Sequence, residues 1–153
     1  MKTTRIATFK DYVGELKVTY KRTKLATKKI QSANDATEFI RPYFDECMDD
    51  REEVKILHLD RKNCVVNVSH VTVGSDKACI VPVKDILREV LHIKTSSIIM
   101  FHNHPSGNLK SSKADIEISS RLKQAGDLID IPLLDSIIIT REGHYSLADN
   151  FEL

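Results

Sequence analysis

Residues 97–107 read Ser-Ile-Ile-Met-Phe-His-Asn-His-Pro-Ser-Gly, and the rest of the chain can be interpreted outward from them. Residues 97–101 form a short apolar run, which predicts a buried strand that delivers His102 at its end. His104 follows two positions later, and a Pro-Ser-Gly turn comes next. We expect this turn to bend the chain so that both imidazoles reach one divalent metal ion, because Pro fixes φ and Gly permits positive φ.

Ser112 and Asp115 follow the turn and allow two interpretations. They match a capping box, in which the hydroxyl and the carboxylate bind free N–H groups of a first helical turn. Alternatively, Asp115 is a third protein ligand beside the two histidines, which leaves one position for water as in a catalytic zinc site. Spacing does not separate the two, and we expect a divided role, with a zinc site assembled at the first turn of a helix.

Periodicity and turn residues predict the remaining elements. Strands are predicted at residues 54–59, 64–73, 97–101, 134–140 and 145–147. Helices are predicted from Ser32 to about Met48, from Pro82 to about Leu91, and from Ser112 to about Ala125, where Gly126 ends the last one. With an N-terminal strand, the order β, α, β, β, α, β, α, β, β predicts an α/β (α+β) fold, in which helices flank a mixed central sheet.

A hydrolytic zinc site also needs a base that takes a proton from water. Glu52 and Glu53 are adjacent at the start of a predicted strand, so their side chains point to opposite faces. Glu52 shares its face with Val54 and Ile56, and this more apolar face favours Glu52 as the buried acid. A solvated strand end is the plainer alternative.

The chain of 153 residues has the length of one domain, which buries roughly 70% of its unfolded surface. Residues 1–31 carry a net charge of +7, although the whole chain carries only +1. We expect a basic N-terminal arm at 1–31 that packs on a single domain at 32–153. Such an arm can make weak contacts with nucleic acid. The alternative is a solvated, half-exposed strand, because Leu16, Val18 and Tyr20 alternate with polar residues.

The three cysteines, Cys47, Cys64 and Cys79, lie far apart and have no metal-binding or disulfide spacing. They predict buried free thiols in a reducing cytoplasm. No apolar run approaches the length of a membrane span, and the N-terminus lacks a signal-peptide core. We therefore expect a cytoplasmic protein without a membrane partner.

The spacing of these candidate residues resembles a known motif. An acid in a distant strand, His-x-His, seven residues, Ser, two residues and Asp is the pattern of JAMM (JAB/MPN) metalloproteases, whose domain is cytidine-deaminase-like. The string HNHPSG and the Leu-Leu-Asp before an apolar strand resemble the RadC family of bacterial JAMM-domain proteins over residues 15–149. In that family the acid stands eight positions before the residue matching Asp60, which selects Glu52 over Glu53.

The resemblance implies a role for each matched residue. His102, His104 and Asp115 would hold Zn²⁺, Glu52 would be the general base, and Ser112 would donate a hydrogen bond to the oxyanion. The implied reaction is hydrolysis of an amide or isopeptide bond in a peptide or protein. Two alternatives stay open: a DNA-associated accessory or repair protein, and a metal-stabilised interaction domain without turnover.

Three departures from the family pattern bear on these alternatives. RadC-like proteins often carry an N-terminal helix-hairpin-helix region, which we do not expect in this chain and whose lack counts against the DNA alternative. Ser111 stands where the family usually has Pro, and Ser136 where it usually has His. Neither replacement removes a metal ligand, but no supporting role is implied for residue 136.

Overall fold

The computed structural model describes residues 2–5, 13–73 and 81–153. The strands are β1 (Lys2–Arg5), β2 (Leu16–Thr19), β3 (Glu53–Leu59), β4 (Val65–Val73), β5 (Ser97–Asn103), β6 (Leu133–Ile139) and β7 (His144–Ser146). The helices are α1 (Ala33–Ile40), α2 (Val83–His92) and α3 (Lys113–Leu128), and a turn of 3-10 helix, Arg41–Phe44, follows α1.

Five strands form the main sheet in the order β4-β3-β5-β6-β7. Only the β5–β6 pair is parallel among the described strands of this sheet, and α3 makes the crossover between them. The sheet is therefore mixed and flanked by helices, which confirms the predicted fold class. Strands β1 and β2 pair with each other in a separate two-stranded sheet.

Helices cover both faces of the main sheet. On one face, Leu57 and Phe101 pack with Ile40 of α1. On the other face, Ile56 and Met100 pack with apolar residues of α2 and α3. This three-layer arrangement leaves all seven residues of β3 buried and all seven of β5 buried. The end of β5 and the start of α3 therefore meet at one edge of a rigid core.

The predicted helix ending near Met48 is shorter than expected. The α-helix ends at Ile40, and a 3-10 turn with Pro42 near its start follows. Proline lacks the N–H that an α-helix interior needs, and its ring clashes with the preceding turn. The apolar residues at 44, 47 and 48 still join the core, but from turns rather than from a helix.

The predicted stop of α3 at Gly126 is wrong, since the helix continues to Leu128. A Cβ on Gly126 would stand 2.4 Å from the carbonyl oxygen of Ile131. The glycine therefore permits the following chain to approach the helix closely. Pro82 and Ser112 each occupy the N-cap position rather than the first helical position, but only Ser112 makes a side-chain capping bond.

The N-terminal segment contacts the edge strand β4. The Tyr20 hydroxyl donates to the Val66 carbonyl at 2.8 Å, and the Thr27 hydroxyl donates to the Val65 carbonyl at 2.7 Å. The solvated strand predicted here is present as β2, but its half-buried alternation is not, because all four of its residues are exposed, including Val18. Among the described strands, β2 pairs only with β1. The domain boundary at residue 31 stays a prediction.

Two compositional predictions can be compared with the described residues. Cys47 is buried, and this burial, followed by a contact with Glu53, raises the pKa of its thiol to about 11. Cys64 is only half-buried, which contradicts its predicted burial, and Cys79 lies outside the described residues. Among the helices that the structure describes, none has both the length and the apolarity needed to cross a membrane.

Candidate metal centre

The structure brings together four predicted residues at the edge of the sheet. Glu52, His102, His104 and Asp115 each offer one potential ligand atom, and these atoms lie within 4.8 Å of one another. They come from three separate segments: the start of β3, the end of β5 and the first turn of α3. The fold thus assembles a group that no single segment supplies.

The two imidazoles are placed by β5 itself. Residues two positions apart in a strand point to the same face, and the Nε2 atoms of His102 and His104 lie 3.0 Å apart. The expectation that a bend must bring the rings together was therefore wrong. The turn has another use: Gly107, at φ +78°, donates its N–H to the His104 carbonyl and redirects the chain toward α3.

A backbone carbonyl fixes the protonation of the His104 ring. Its Nδ1 lies 2.7 Å from the carbonyl oxygen of Asn108, which can only accept a hydrogen bond. Nδ1 must therefore carry the proton, and in the neutral ring Nε2 keeps its lone pair. Metal-ligating histidines commonly donate their second N–H in this way.

Ser112 and Asp115 form the capping box, and Asp115 also completes the cluster. The Asp115 N–H donates to the Ser112 hydroxyl at 3.1 Å, and the Ser112 N–H donates to Asp115 Oδ2 at 2.7 Å. Oδ1 of the same carboxylate lies 3.2 Å from Nε2 of His102. Oδ2, which accepts the cap bond, lies 3.7 Å from Nε2 of His104, so the same carboxylate caps the helix and faces both histidines.

The cluster stabilises the ionised form of Asp115. Burial alone would raise the pKa of this carboxyl, but hydrogen bonding and charge at His102, together with the bonds to Ser112, hold its pKa well below the usual range. An aspartate that stays ionised beside two ring nitrogens is ready to bind a cation.

The two adjacent glutamates have different surroundings. Glu53, at 3% exposed, is the buried acid, whereas Glu52 is only half-buried. The burial argument for Glu52 is therefore wrong, because helices cover both faces of β3 and the parity of apolar residues does not identify one inner face. Glu52, which the resemblance selected, faces the histidines, and Glu53 faces the α1 side.

Two polar contacts behind the cluster could not be predicted from the motif. Asn103, between the histidines, is fully buried and bonds the chain around Glu52. The strand was predicted only to residue 101, whereas it extends to Asn103, so no sequence signal placed this side chain in the sheet. Ser136 lies 2.8 Å from the Ser119 hydroxyl, which donates to the Asp115 carbonyl at 2.7 Å, so residue 136 supports the first turn of α3 despite not being His.

A cleft of about 250 Å³ opens beside the cluster. Apolar side chains form its walls, and Glu117 and Arg121 lie along α3 beyond the candidate ligands. Its lining residues are Glu52, Val54, Val81, Met100, His102, Ala114, Asp115, Glu117, Ile118 and Arg121. A cleft with apolar walls and converging polar groups is the usual form of a small binding site.

The donor set fits a divalent metal ion. Ring nitrogens about 2.0 Å from a tetrahedral zinc ion lie about 3.3 Å apart, close to the 3.0 Å observed between the two Nε2 atoms. Two imidazoles and one carboxylate are also the three protein ligands typical of catalytic rather than structural sites. The group can therefore hold a metal ion, although two nitrogens and an oxygen suit several divalent metals.

Comparisons with known proteins agree with the arrangement of this centre. The family model described as "RadC-like JAB domain" matches residues 30–152. A UPF0758 protein of Chlorobium phaeovibrioides is 34% identical over 134 residues, which cover 88% of this chain and 58% of that protein. A UPF0758 protein of Thermotoga maritima is 38% identical over 104 residues, covering 68% of this chain and 47% of that protein.

The chain thus spans about half the length of the relatives that it matches. The matched region contains all four residues of the cluster, and the mixed sheet with its three helices is consistent with a JAB/MPN domain. The names of these relatives state no activity. The chain belongs to the RadC-like JAB domain family.

Proposed function

We propose that this domain is a zinc-dependent hydrolase of the JAMM type that cleaves an amide or isopeptide bond in a peptide or protein. The observation that supports this proposal most strongly is the position of Glu52. A carboxylate from a distant strand joins two histidines and an aspartate within 4.8 Å. A site that only stabilised the fold would not need this fourth group beside an open cleft.

His102, His104 and Asp115 would hold the ion. When bound, zinc supplies Lewis acidity and lowers the pKa of a coordinated water to about 7. The His104 ring is held for this role by the Asn108 carbonyl, and the Asp115 carboxylate by the Ser112 N–H. These contacts orient the ligand atoms in advance, so that little rearrangement is needed on binding.

Glu52 would move the protons. Its carboxylate would accept a proton from the attacking water and then pass it to the leaving amine. The Ser112 hydroxyl would donate a hydrogen bond to the oxyanion that develops on the scissile carbonyl. The oxygen of this hydroxyl already accepts the Asp115 N–H, which orients it, and among the described residues it donates to no acceptor.

The first experiment measures metal content and peptide cleavage on the same preparations. We expect about one zinc ion per chain in the unmodified protein and in His92→Ala, an exposed histidine control, but none in His104→Ala. We expect Glu52→Gln to keep zinc and to lose cleavage of a peptide library. A protein that takes up no zinc would end the proposal.

The same assay separates the hydrolase from an interaction domain. If the unmodified protein and Glu52→Gln both hold zinc and neither cleaves any peptide, a metal-stabilised interaction domain without turnover is favoured. A loss of cleavage in Glu52→Gln, with Glu142→Gln unchanged as the exposed control, supports the hydrolase.

A second proposal concerns nucleic acid. The exposed basic side chains at Lys21, Arg22 and Lys24 support a weak contact with DNA through the N-terminal arm. Neutralising these residues to Gln should weaken binding and lower the slope of log affinity against log salt. No binding of duplex DNA at low salt would exclude this role.

We also propose a reducing cytoplasmic location, which the free thiols of Cys47 and Cys64 support. Fractionation of cells should find the protein with cytoplasmic markers. Recovery with exported proteins would contradict this location.

A further inference from the structure

We propose that Asn103 is a positioning residue for the candidate base: its side-chain amide holds the chain on both sides of Glu52 and so fixes the Glu52 carboxylate opposite the ligands. This inference rests on the proposed function, since it assigns a partner to Glu52. Asn103 itself touches neither the cleft nor the ligand atoms, because its side chain lies on the opposite face of β5 from His102.

The contacts of this amide converge on one short segment. Its Oδ1 accepts the Glu53 N–H at 2.8 Å. Its Nδ2 donates to the Arg51 carbonyl at 2.9 Å, to the Cys47 carbonyl at 3.1 Å and to the Met48 carbonyl at 3.2 Å. A side-chain amide has two N–H groups, so one of them is shared between two of these carbonyls.

Two of these contacts flank Glu52 directly. The carbonyl of Arg51 and the N–H of Glu53 belong to the residues immediately before and after it. When both neighbours are bonded to one rigid amide, the direction in which the Glu52 side chain leaves the backbone is fixed. Asn103 is fully buried, so water does not compete for these bonds.

The backbone pairing with β5 does not provide this restraint, although Glu53 pairs with Val73 of β4 on the other side. Pairing between β3 and β5 ends where Val54 faces His102, one residue short of Glu53. Beyond that point, the Asn103 side chain makes hydrogen bonds in place of the backbone bonds between the two strands. Because Asn103 stands between His102 and His104, the strand that carries two ligands also sets the position of the base.

The test compares Asn103→Asp with Glu52→Gln and with the double variant. Asn103→Asp keeps the size and the acceptor oxygen but loses both donor N–H groups. Asn150→Asp makes the same chemical change at an exposed site away from the cleft, where the amide donates to the Ser146 carbonyl at 2.7 Å. Each protein is loaded with Co²⁺, and its visible absorption spectrum and metal affinity are recorded.

We expect Asn103→Asp to bind Co²⁺ with nearly unchanged affinity, because all ligands remain, and to shift the absorption bands in the same direction as Glu52→Gln. In the Glu52→Gln background, Asn103→Asp should add no further shift. Where a cleaved peptide is available, kcat should fall on the order of 100-fold with KM unchanged, as expected for a misplaced catalytic group.

Two results would overturn the inference. One is an Asn103→Asp spectrum identical to that of the unmodified protein, and the other is a shift of equal size with and without Glu52. Failure of the proposed function looks different: either no Co²⁺ binds, or Glu52→Gln itself leaves the spectrum unchanged.

Hydrogen exchange of the unmodified protein provides a check that needs no variant. If Asn103→Asp does not fold, the Glu53 N–H still reports on the contact. We expect this N–H to exchange far more slowly than the N–H groups of the exposed residues Glu46 and Asp49. Exchange at the same rate as these two would show that the amide does not hold the segment.

Discussion

Two charged clusters begin at neighbouring residues of one strand and lie on opposite faces of the sheet. On the α1 face, Glu53 pairs with Lys55 at 2.7 Å and with Arg51 at 2.9 Å. Lys55 also contacts the His70 ring at 3.1 Å and lies 5.0 Å above the Phe44 ring. On the other face, Glu52 meets two histidines and an aspartate, and none of the salt bridges among the described residues involves Glu52.

The difference separates a carboxylate that is compensated by cationic side chains from one that stands among candidate metal ligands. Burial would raise the pKa of Glu53, but its bond to Lys55, with further contributions from Cys47 and His70, lowers it, so this acid is ionised and compensated. The Glu52 cluster instead collects electron-pair donors, and among the described residues no Lys or Arg side chain forms an ion pair with it. A group of donors that lacks a cation is where a metal ion would act.

The sharpest test of this comparison removes the charge of each glutamate in turn. Glu52→Gln should reduce cleavage by about 10²–10⁴-fold, because general-base catalysis typically contributes this much. Its free energy of unfolding should change by less than about 0.5 kcal/mol, since the side chain is half-buried and makes no ion pair. Peptide cleavage and urea unfolding measure the two quantities, and an inactive but strongly destabilised variant would contradict the assignment.

Glu53→Gln should have the opposite outcome. Removing one partner of a buried ion pair leaves Lys55 uncompensated and should cost about 3–5 kcal/mol of unfolding free energy. Zinc content should not change in the folded fraction, because the ligands lie on the other face. Urea unfolding beside the exposed control Glu142→Gln checks this prediction, and a loss below 1 kcal/mol, on the scale of surface substitutions, would show that Glu53 is not structural.

His58 adds a third case to this comparison: a buried titratable ring whose hydrogen bonds are made without a charge. Burial lowers its pKa to about 4 from 6.5, and its ring bonds the hydroxyls of Thr95 and Ser69. Between pH 6.5 and 4, the His58 ring is therefore protonated in the unfolded chain and neutral in the folded protein. Stability should be complete above pH 6.5, and about 3 kcal/mol should be lost as the pH falls to 4.

The measurement for His58 is urea unfolding at several pH values. His58→Gln should have a shallower slope of unfolding free energy between pH 6.5 and 4 than the unmodified protein. An identical slope in both proteins would assign the acid sensitivity to other groups.

The smallest expected effect concerns the support of Asp115. Ser136→Ala removes the hydroxyl that bonds Ser119, which in turn donates to the Asp115 carbonyl. Losing one buried hydrogen bond should cost about 1 kcal/mol and leave zinc binding intact. Thermal unfolding and zinc titration check it; a loss of zinc would mean that residue 136 acts on the metal centre itself.

The candidate ligands other than Glu52 could be identified because they are close in sequence. His102 and His104 lie at the end of β5, and Ser112 and Asp115 lie at the start of α3. Glu52 lies fifty residues from His102; parity favoured it as a buried acid, and the resemblance to the family motif selected it for the site. Parity failed at Glu52 because both faces of β3 are covered by helices.

Other features depend on contacts that sequence patterns do not encode. Gly126 was interpreted as a helix stop, yet it serves a close approach to the Ile131 carbonyl. The bonds of Asn103 reach residues about fifty positions away, so no local pattern reveals them. The strand order is also a tertiary property, because the same element order is compatible with several pairings.

The most direct test of the metal centre is an anomalous-scattering map of a zinc-loaded crystal, collected at the zinc edge. The account predicts one peak about 2.0–2.2 Å from the Nε2 atoms of His102 and His104 and from a carboxylate oxygen of Asp115, with Glu52 beside it but not bound. A zinc-loaded crystal with no peak among these three side chains would contradict the account.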